Sequence, residues 1–108
     1  MKEAKVAFID KSLQELFNKL EDTNEKELLK FLHRAIKDLK ENPFAGTQIR
    51  KNLIPKEYKI KYNIQNLWKY NLPNAWRLIY TIQNDEISVV CVLLEWMNHK
   101  NYERRFNY

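Results

Sequence analysis

LWKYNLPNAWRLIYTIQNDEISVVCVLLEW, residues 67–96, is the stretch that decides the fold. It contains all three tryptophans and three runs rich in aromatic and β-branched residues, at 67–72, 76–82 and 87–96. Pro73-Asn74-Ala75 and Gln83-Asn84-Asp85-Glu86 separate the runs, and both have turn composition. The pattern predicts a three-stranded antiparallel meander. Residues 89–94 are apolar at every position, as in a strand buried on both faces, so the last strand is expected to lie centrally. The first two alternate, which leaves them a face for function.

Upstream, residues 5–9 read as a short first strand. Ser12 and Glu15 have capping-box spacing, and Leu13, Leu16, Phe17 and Leu20 follow on one helical face. Asn24 and Glu27 repeat the cap signal before a second stripe of Leu28, Leu32, Ala35, Ile36 and Leu39, which Pro43 ends. His33 lies off that stripe and is expected in solvent. The expected fold class is α+β: an N-terminal helical hairpin packed on the antiparallel meander, with a short first strand. Residues 43–66 read as a partly ordered basic excursion turned by Gly46, with Pro55 opening a helical turn and Ile54, Tyr58, Ile60 and Tyr62 as anchors. The last twelve residues read as a turn and a short helix.

At 108 residues and 44% apolar content, the chain is expected to be a single domain spanning 1–108. It has no run of 18 apolar residues and no basic-then-apolar start, so neither a membrane span nor a secretory signal is expected, and the expected location is the cytoplasm. The one cysteine, Cys91, falls mid-strand in the most apolar run and reads as a buried, inert thiol. Two histidines and one cysteine do not make a conventional zinc set, so no metal and no cofactor are expected. The net charge of +5 suits a polyanion or an acidic partner. The excess is local: residues 50–61 hold Arg50, Lys51, Lys56, Lys59 and Lys61 against Glu57, and the tail adds Lys100, Arg104 and Arg105 against Glu103.

The order of these parts resembles the RelE/ParE superfamily of toxins from type II toxin–antitoxin systems. Leu67-Trp-Lys-Tyr followed by Trp76-Arg-Leu-Ile-Tyr80 looks like the family's hairpin, and His99-Lys100 followed by Tyr102 looks like its C-terminal motif. The resemblance implies a toxin silenced by an acidic antitoxin, with which it forms an oligomer. RelE-like members cut mRNA on the ribosome without a metal, and ParE-like members inhibit DNA gyrase. Two positions depart from the ribonuclease pattern: Asn71 stands for a second basic residue of the hairpin, and Glu95 lies where ribonuclease members tend to carry arginine.

RNA cleavage through the substrate's own 2′-hydroxyl needs a base, an acid and positive charge at the phosphorus. Strand alternation places Lys69 and Asn71 on one face of their strand, and Arg77, Ile79 and Thr81 on one face of the next. If the register makes the two faces one, Lys69 and Arg77 form a cationic strip, with the Arg77 guanidinium matched to phosphate oxygens. The bland alternative for Arg77 is an ion pair with Glu95 or with a helix carboxylate. Histidine titrates nearest to neutrality, so His99 is the expected proton-transfer group. Tyr102 is expected to stack on a base or protonate the leaving group, or else to cover the core edge. Arg50, Lys51, Lys100, Arg104 and Arg105 are the expected phosphate contacts. The expected activity is thus a RelE-like mRNA endonuclease built on Arg77, Lys69, His99 and Tyr102. The alternatives are a ParE-like gyrase inhibitor and a non-catalytic member that only binds antitoxin or RNA. The tryptophans read as packing residues.

Overall fold

The computed structural model of the chain describes residues 4–84 and 87–106. In chain order the elements are β1 (Lys5–Phe8), α1 (Lys11–Lys19), α2 (Lys26–Glu41), β2 (Thr47–Gln48), α3 (Lys56–Tyr62), β3 (Trp68–Asn71), β4 (Arg77–Asn84), β5 (Val89–Met97) and α4 (His99–Phe106). The strands form one five-stranded sheet in the order β1-β5-β4-β3-β2. Its β3–β4–β5 part is the antiparallel meander. The sheet as a whole is mixed, because β1 joins β5 in parallel; two-residue β2 extends the β3 edge in antiparallel sense. β5 is therefore an interior strand. The first turn of the meander closes with the Leu72 amide donating to the Trp76 carbonyl at 2.8 Å. It places Asn74 and Ala75 in the left-handed region, with φ of 59° and 61°. In the second turn, Asp85 and Glu86 lie outside the described residues.

The helical hairpin forms, with its caps shifted from the sequence expectation. Asp10, not Ser12, caps α1, its carboxylate accepting from the Leu13 amide at 2.8 Å. Asp10 to Leu13 has the same three-residue cap spacing as Ser12 to Glu15, two residues earlier in the chain. A 3-10 turn at Leu20–Asp22 bridges to α2, which starts without a side-chain cap; Thr23 instead accepts from the Glu25 amide at 3.0 Å. α2 ends at Glu41, two residues before Pro43. Leu13, Leu20, Leu28, Leu32, Ala35 and Leu39 bury their stripe against Leu72, Leu78, Tyr80, Ile82, Cys91 and Leu93 of the sheet. Truncation of a fully buried leucine in such a layer costs about 2–5 kcal/mol. Trp68, Trp76 and Trp96 pack half-buried around this core.

The other face of the sheet is covered too. Ile79, Val92, Leu94 and Met97 meet Ile49, Ile54 and Tyr58 of the basic segment and Tyr102 of α4 in a second core. The segment after Pro43 is thus an ordered layer rather than a partly ordered excursion. Pro55 precedes α3 as its N-cap, and Tyr58 is its buried anchor, whereas Ile60 points to solvent at 82% exposure. The α3 helix stops at Asn63, whose φ of 51° is the left-handed conformation that asparagine tolerates at a helix end. Buried Thr81 is held by Asn66, whose carbonyl and side-chain oxygen lie 2.7 and 3.1 Å from the hydroxyl.

The Tyr80 hydroxyl fastens the loop after α2 to the sheet: it donates to the Pro43 carbonyl at 3.0 Å and accepts from the Gly46 amide at 3.1 Å. A Cβ at Gly46 would fall 2.4 Å from the Lys69 carbonyl oxygen and 2.6 Å from that hydroxyl. Gly46→Ala is therefore expected to lower the unfolding free energy by about 1–3 kcal/mol. Ala75→Gly, which relieves a left-handed alanine, should raise it by about 1 kcal/mol. Urea unfolding of the two variants reads both signs.

Burial raises the pKa of Tyr58, Tyr70 and Tyr80, with the Glu95 carboxylate adding to the effect at Tyr58. Tyr70, which donates to Asp38, is pushed up to about 12. An unfolded tyrosine loses its proton near pH 10, so the folded chain holds more protons above that pH. Stability is then full below about pH 10 and falls as pH rises towards about 12. Urea midpoints across that range should decline, and decline less in Tyr70→Phe.

Candidate functional site

The register of the hairpin sets the site. Lys69 stands opposite Ile79 and Asn71 opposite Arg77. Opposed residues of an antiparallel pair point to the same side, so Lys69, Asn71, Arg77 and Ile79 share the face that α3 and α4 cover. On the neighbouring strand Ile79 faces Glu95 while Tyr80 faces Leu93, leaving Leu94 as the extra residue of a β-bulge. The bulge turns Leu94 into the second core and still delivers Glu95 to the Lys69–Arg77 face.

Tyr102 of α4 gathers the two cations. Lys69 Nζ lies 5.3 Å from the ring centroid and the Arg77 guanidinium carbon 5.5 Å from it. Such contacts contribute about 0.5–2 kcal/mol each and fix where the charges sit. The ring is also stacked on Phe106 at 4.5 Å and is only 2% exposed. Tyr102 supports the cationic pair from beneath and covers the core edge, the packing role that the sequence reading held as its alternative. Arg77 donates from Nη1 to the Trp76 carbonyl at 3.1 Å, and its Nε is buried with no hydrogen-bond partner among the described residues.

Beside this pair runs a groove of about 640 Å³ between β2, the 3-10 turn at Lys51–Leu53, α3 and α4. Arg50, Lys56 and Lys69 line it together with Gln48, Asn52 and Tyr102, and no carboxylate does so among the described residues. Two chain segments that the sequence could not relate in space, the basic stretch and the hairpin, therefore meet in one electropositive channel. Lys51, Lys100 and Arg104 are exposed but do not line it.

The family follows from the chain's own sequence pattern. Residues 8–95 match the model of the family described as ParE toxin of type II toxin-antitoxin system, parDE. The chain belongs to that toxin family. In fold it is similar to the YoeB/ParE toxin from Agrobacterium tumefaciens, with a TM-score of 0.59 and 13% sequence identity over 88% of this chain and 98% of that one. No curated protein sequence matches it significantly. As a type II toxin it has an antitoxin as its partner.

Two expected site residues of the toxin are engaged by carboxylates. His99, at the start of α4, pairs through Nε2 with Glu103 one turn on; both side chains are about half exposed, so the pair orients the imidazole with little effect on stability. Arg105 is no free phosphate contact: Nη1 lies 3.1 Å from Glu95 Oε2 and Nε 3.4 Å from Glu57 Oε2, with the guanidinium 5.8 Å from the Tyr58 ring centroid. Burial works against its charge, but Glu95, Tyr58 and Glu57 outweigh burial and raise its pKa. The Glu95 carboxylate thus has its partner in Arg105 rather than in Arg77. Sequence reading missed this pairing because Glu57, Glu95 and Arg105 come from three elements. The only local signal was the spacing of Tyr102 and Arg105, which puts them one helical turn apart.

Among the described residues no three His, Cys, Asp or Glu side chains converge as a metal set. Among the described residues no helix is long and apolar enough to cross a membrane. Cys91 is buried, and burial pushes its thiol up to about 11.

A supporting role for Tyr102 needs its ring and a proton-donating role needs its hydroxyl. Tyr102→Phe, which keeps the ring, is expected to lose much less stability than Tyr102→Ala, which should lose about 3–5 kcal/mol. Urea unfolding of the two variants reads the difference.

Proposed function

We propose that this toxin is a ribosome-dependent mRNA endonuclease acting in the cytoplasm, and that an acidic antitoxin silences it by occupying its cationic face in an oligomeric complex. The observation that carries the reading is the acid-free groove of Arg50, Lys56 and Lys69 adjoining Arg77 across the Tyr102 ring. A channel of that charge fits a polyanionic strand better than a protein surface of mixed charge.

In this reading the groove holds the RNA backbone, and Arg77 and Lys69 flank the scissile phosphate. The 2′-oxygen attacks phosphorus as a base takes its proton. The bond to the 5′-oxygen breaks, and an acid protonates that oxygen, leaving a 2′,3′-cyclic phosphate and a 5′-hydroxyl end. Charge on the pentacoordinate phosphorus grows during the attack, and two fixed cations stabilise it in proportion to that growth. His99, oriented by Glu103, serves as the proton-transfer group. Arg50 contacts flanking phosphates with Lys56, while Lys51, Lys100 and Arg104 steer the strand towards the groove from the outside.

A second reading, inhibition of DNA gyrase, is favoured by the ParE description of the matched family. It is favoured too by the burial of Tyr102, which leaves acid–base chemistry resting on one imidazole. Inducible expression in a bacterial host with mapping of mRNA 5′ ends decides between them. The nuclease reading expects new ends within translated codons, reduced about 100-fold or more in Arg77→Ala and by a comparable factor in His99→Ala. Growth arrest with intact mRNA and damaged DNA would establish gyrase as the target. Soluble, folded protein without arrest would leave a non-catalytic member.

A further inference from the structure

Glu95 is the only carboxylate that β4 and β5 present on the Lys69–Arg77 face among the described residues. It stands opposite Ile79, two residues from Arg77, so Glu95 and Arg77 are diagonal neighbours across the ladder. Long side chains span that separation, and opposite charges so placed ordinarily pair. Here they do not. Glu95 is taken by Arg105, and the Arg77 Nε is left buried without a hydrogen-bond partner among the described residues. Arg105 itself is held from the far side by Glu57 and the Tyr58 ring, which keeps its fork turned to Glu95.

We propose that Arg105 is a positioning residue that holds the Glu95 carboxylate off Arg77 and so keeps the Arg77 guanidinium free for a phosphate. The inference rests on the nuclease reading of the site. The Glu95 side chain is 25% exposed, and a carboxylate at that depth does not stay unpaired without cost. Once Arg105 is removed, the Arg77 fork is the cation within diagonal reach with a donor to spare. The resulting Arg77–Glu95 pair would cancel the charge that the site offers to RNA. Arg105 thereby reconciles an acidic residue at position 95 with an electropositive site.

The test uses the purified full-length toxin as wild type, R105Q, R105K, E95Q and the double variant E95Q/R105Q. Affinity for a fluorescein-labelled single-stranded RNA is measured over a range of salt concentrations. R105Q should bind tenfold or more weakly, and R105K, which keeps a cation beside Glu95, should stay near the wild type. E95Q should bind no more weakly than the wild type, and the double variant should return to within about threefold of it. If Arg105 instead touches RNA directly, the double variant stays as weak as R105Q and its salt dependence drops by about one counterion, which overturns the proposal. Should R105Q not fold by near-ultraviolet circular dichroism, the double variant decides alone, because it removes both charges. The Arg77 Nε–Hε nuclear magnetic resonance signal gives a readout independent of RNA. It should shift and exchange more slowly in R105Q, and revert in the double variant; an unchanged signal in R105Q also overturns the proposal. A wild type that binds no RNA overturns the nuclease reading, while the Arg77 signal still tells whether Arg105 keeps Glu95 away.

Discussion

The structure depends on one constraint: β4 and β5 are apolar on both sides, so neither face of the sheet centre can be left to water. The helical hairpin covers one face through the stripe from Leu13 to Leu39. The other face needs a second cover, and the chain has only the basic segment and its C-terminal helix left to supply one. Ile49, Ile54, Tyr58 and Tyr102 do so, and each brings its charged neighbours with it. The basic residues therefore reach the second face of the sheet as a consequence of hydrophobic closure. Arg50 precedes the 3-10 turn next to buried Ile49, Lys56 opens the helix whose anchor is Tyr58, and Arg105 follows Tyr102 by one turn.

The polar side of that cover is organised by aromatic rings as much as by charges. Tyr102 takes Lys69 and Arg77 on its π-system, and Tyr58 takes Arg105. A ring can hold a cation without neutralising it, which a carboxylate cannot. The arrangement separates two functions that the same residue types usually mix. Arg105 is paired with Glu95 and Glu57, whereas Lys69 and Arg77 lie against an uncharged ring. The β-bulge at Leu94 makes the separation necessary, because the same irregularity that fills the second core also turns a carboxylate onto the site.

Membership of the ParE toxin family accounts for the frame of helical hairpin and meander, and the fold shared with the Agrobacterium toxin at 13% identity indicates how little of the sequence that frame requires. On the sheet, Asn71 and Glu95 share the face of Lys69 and Arg77, and Arg50 and Lys56 add positive charge beside it from a segment that packs alongside.

The sequence by itself determined the helical stripes apart from Leu16, which is exposed, the three central strands and the packing role of the tryptophans, because hydrophobic periodicity is a local property that solvent enforces on each element separately. It also placed Lys69 and Arg77 on alternating strand positions where a common face was one of two outcomes. Only the tertiary structure decided the rest. Which of two faces they share is a matter of register, and a slip of one residue reverses it. The cap at Asp10, the bulge at Leu94 and the left-handed Ala75 each turn on backbone geometry that composition does not encode. The partners of Glu95, Arg105 and Tyr102 come from strands and helices far apart in the chain, and their pairing follows from how the second face was closed. Charge can be counted along a sequence, but whether a cation is free or already paired depends on which elements meet around it.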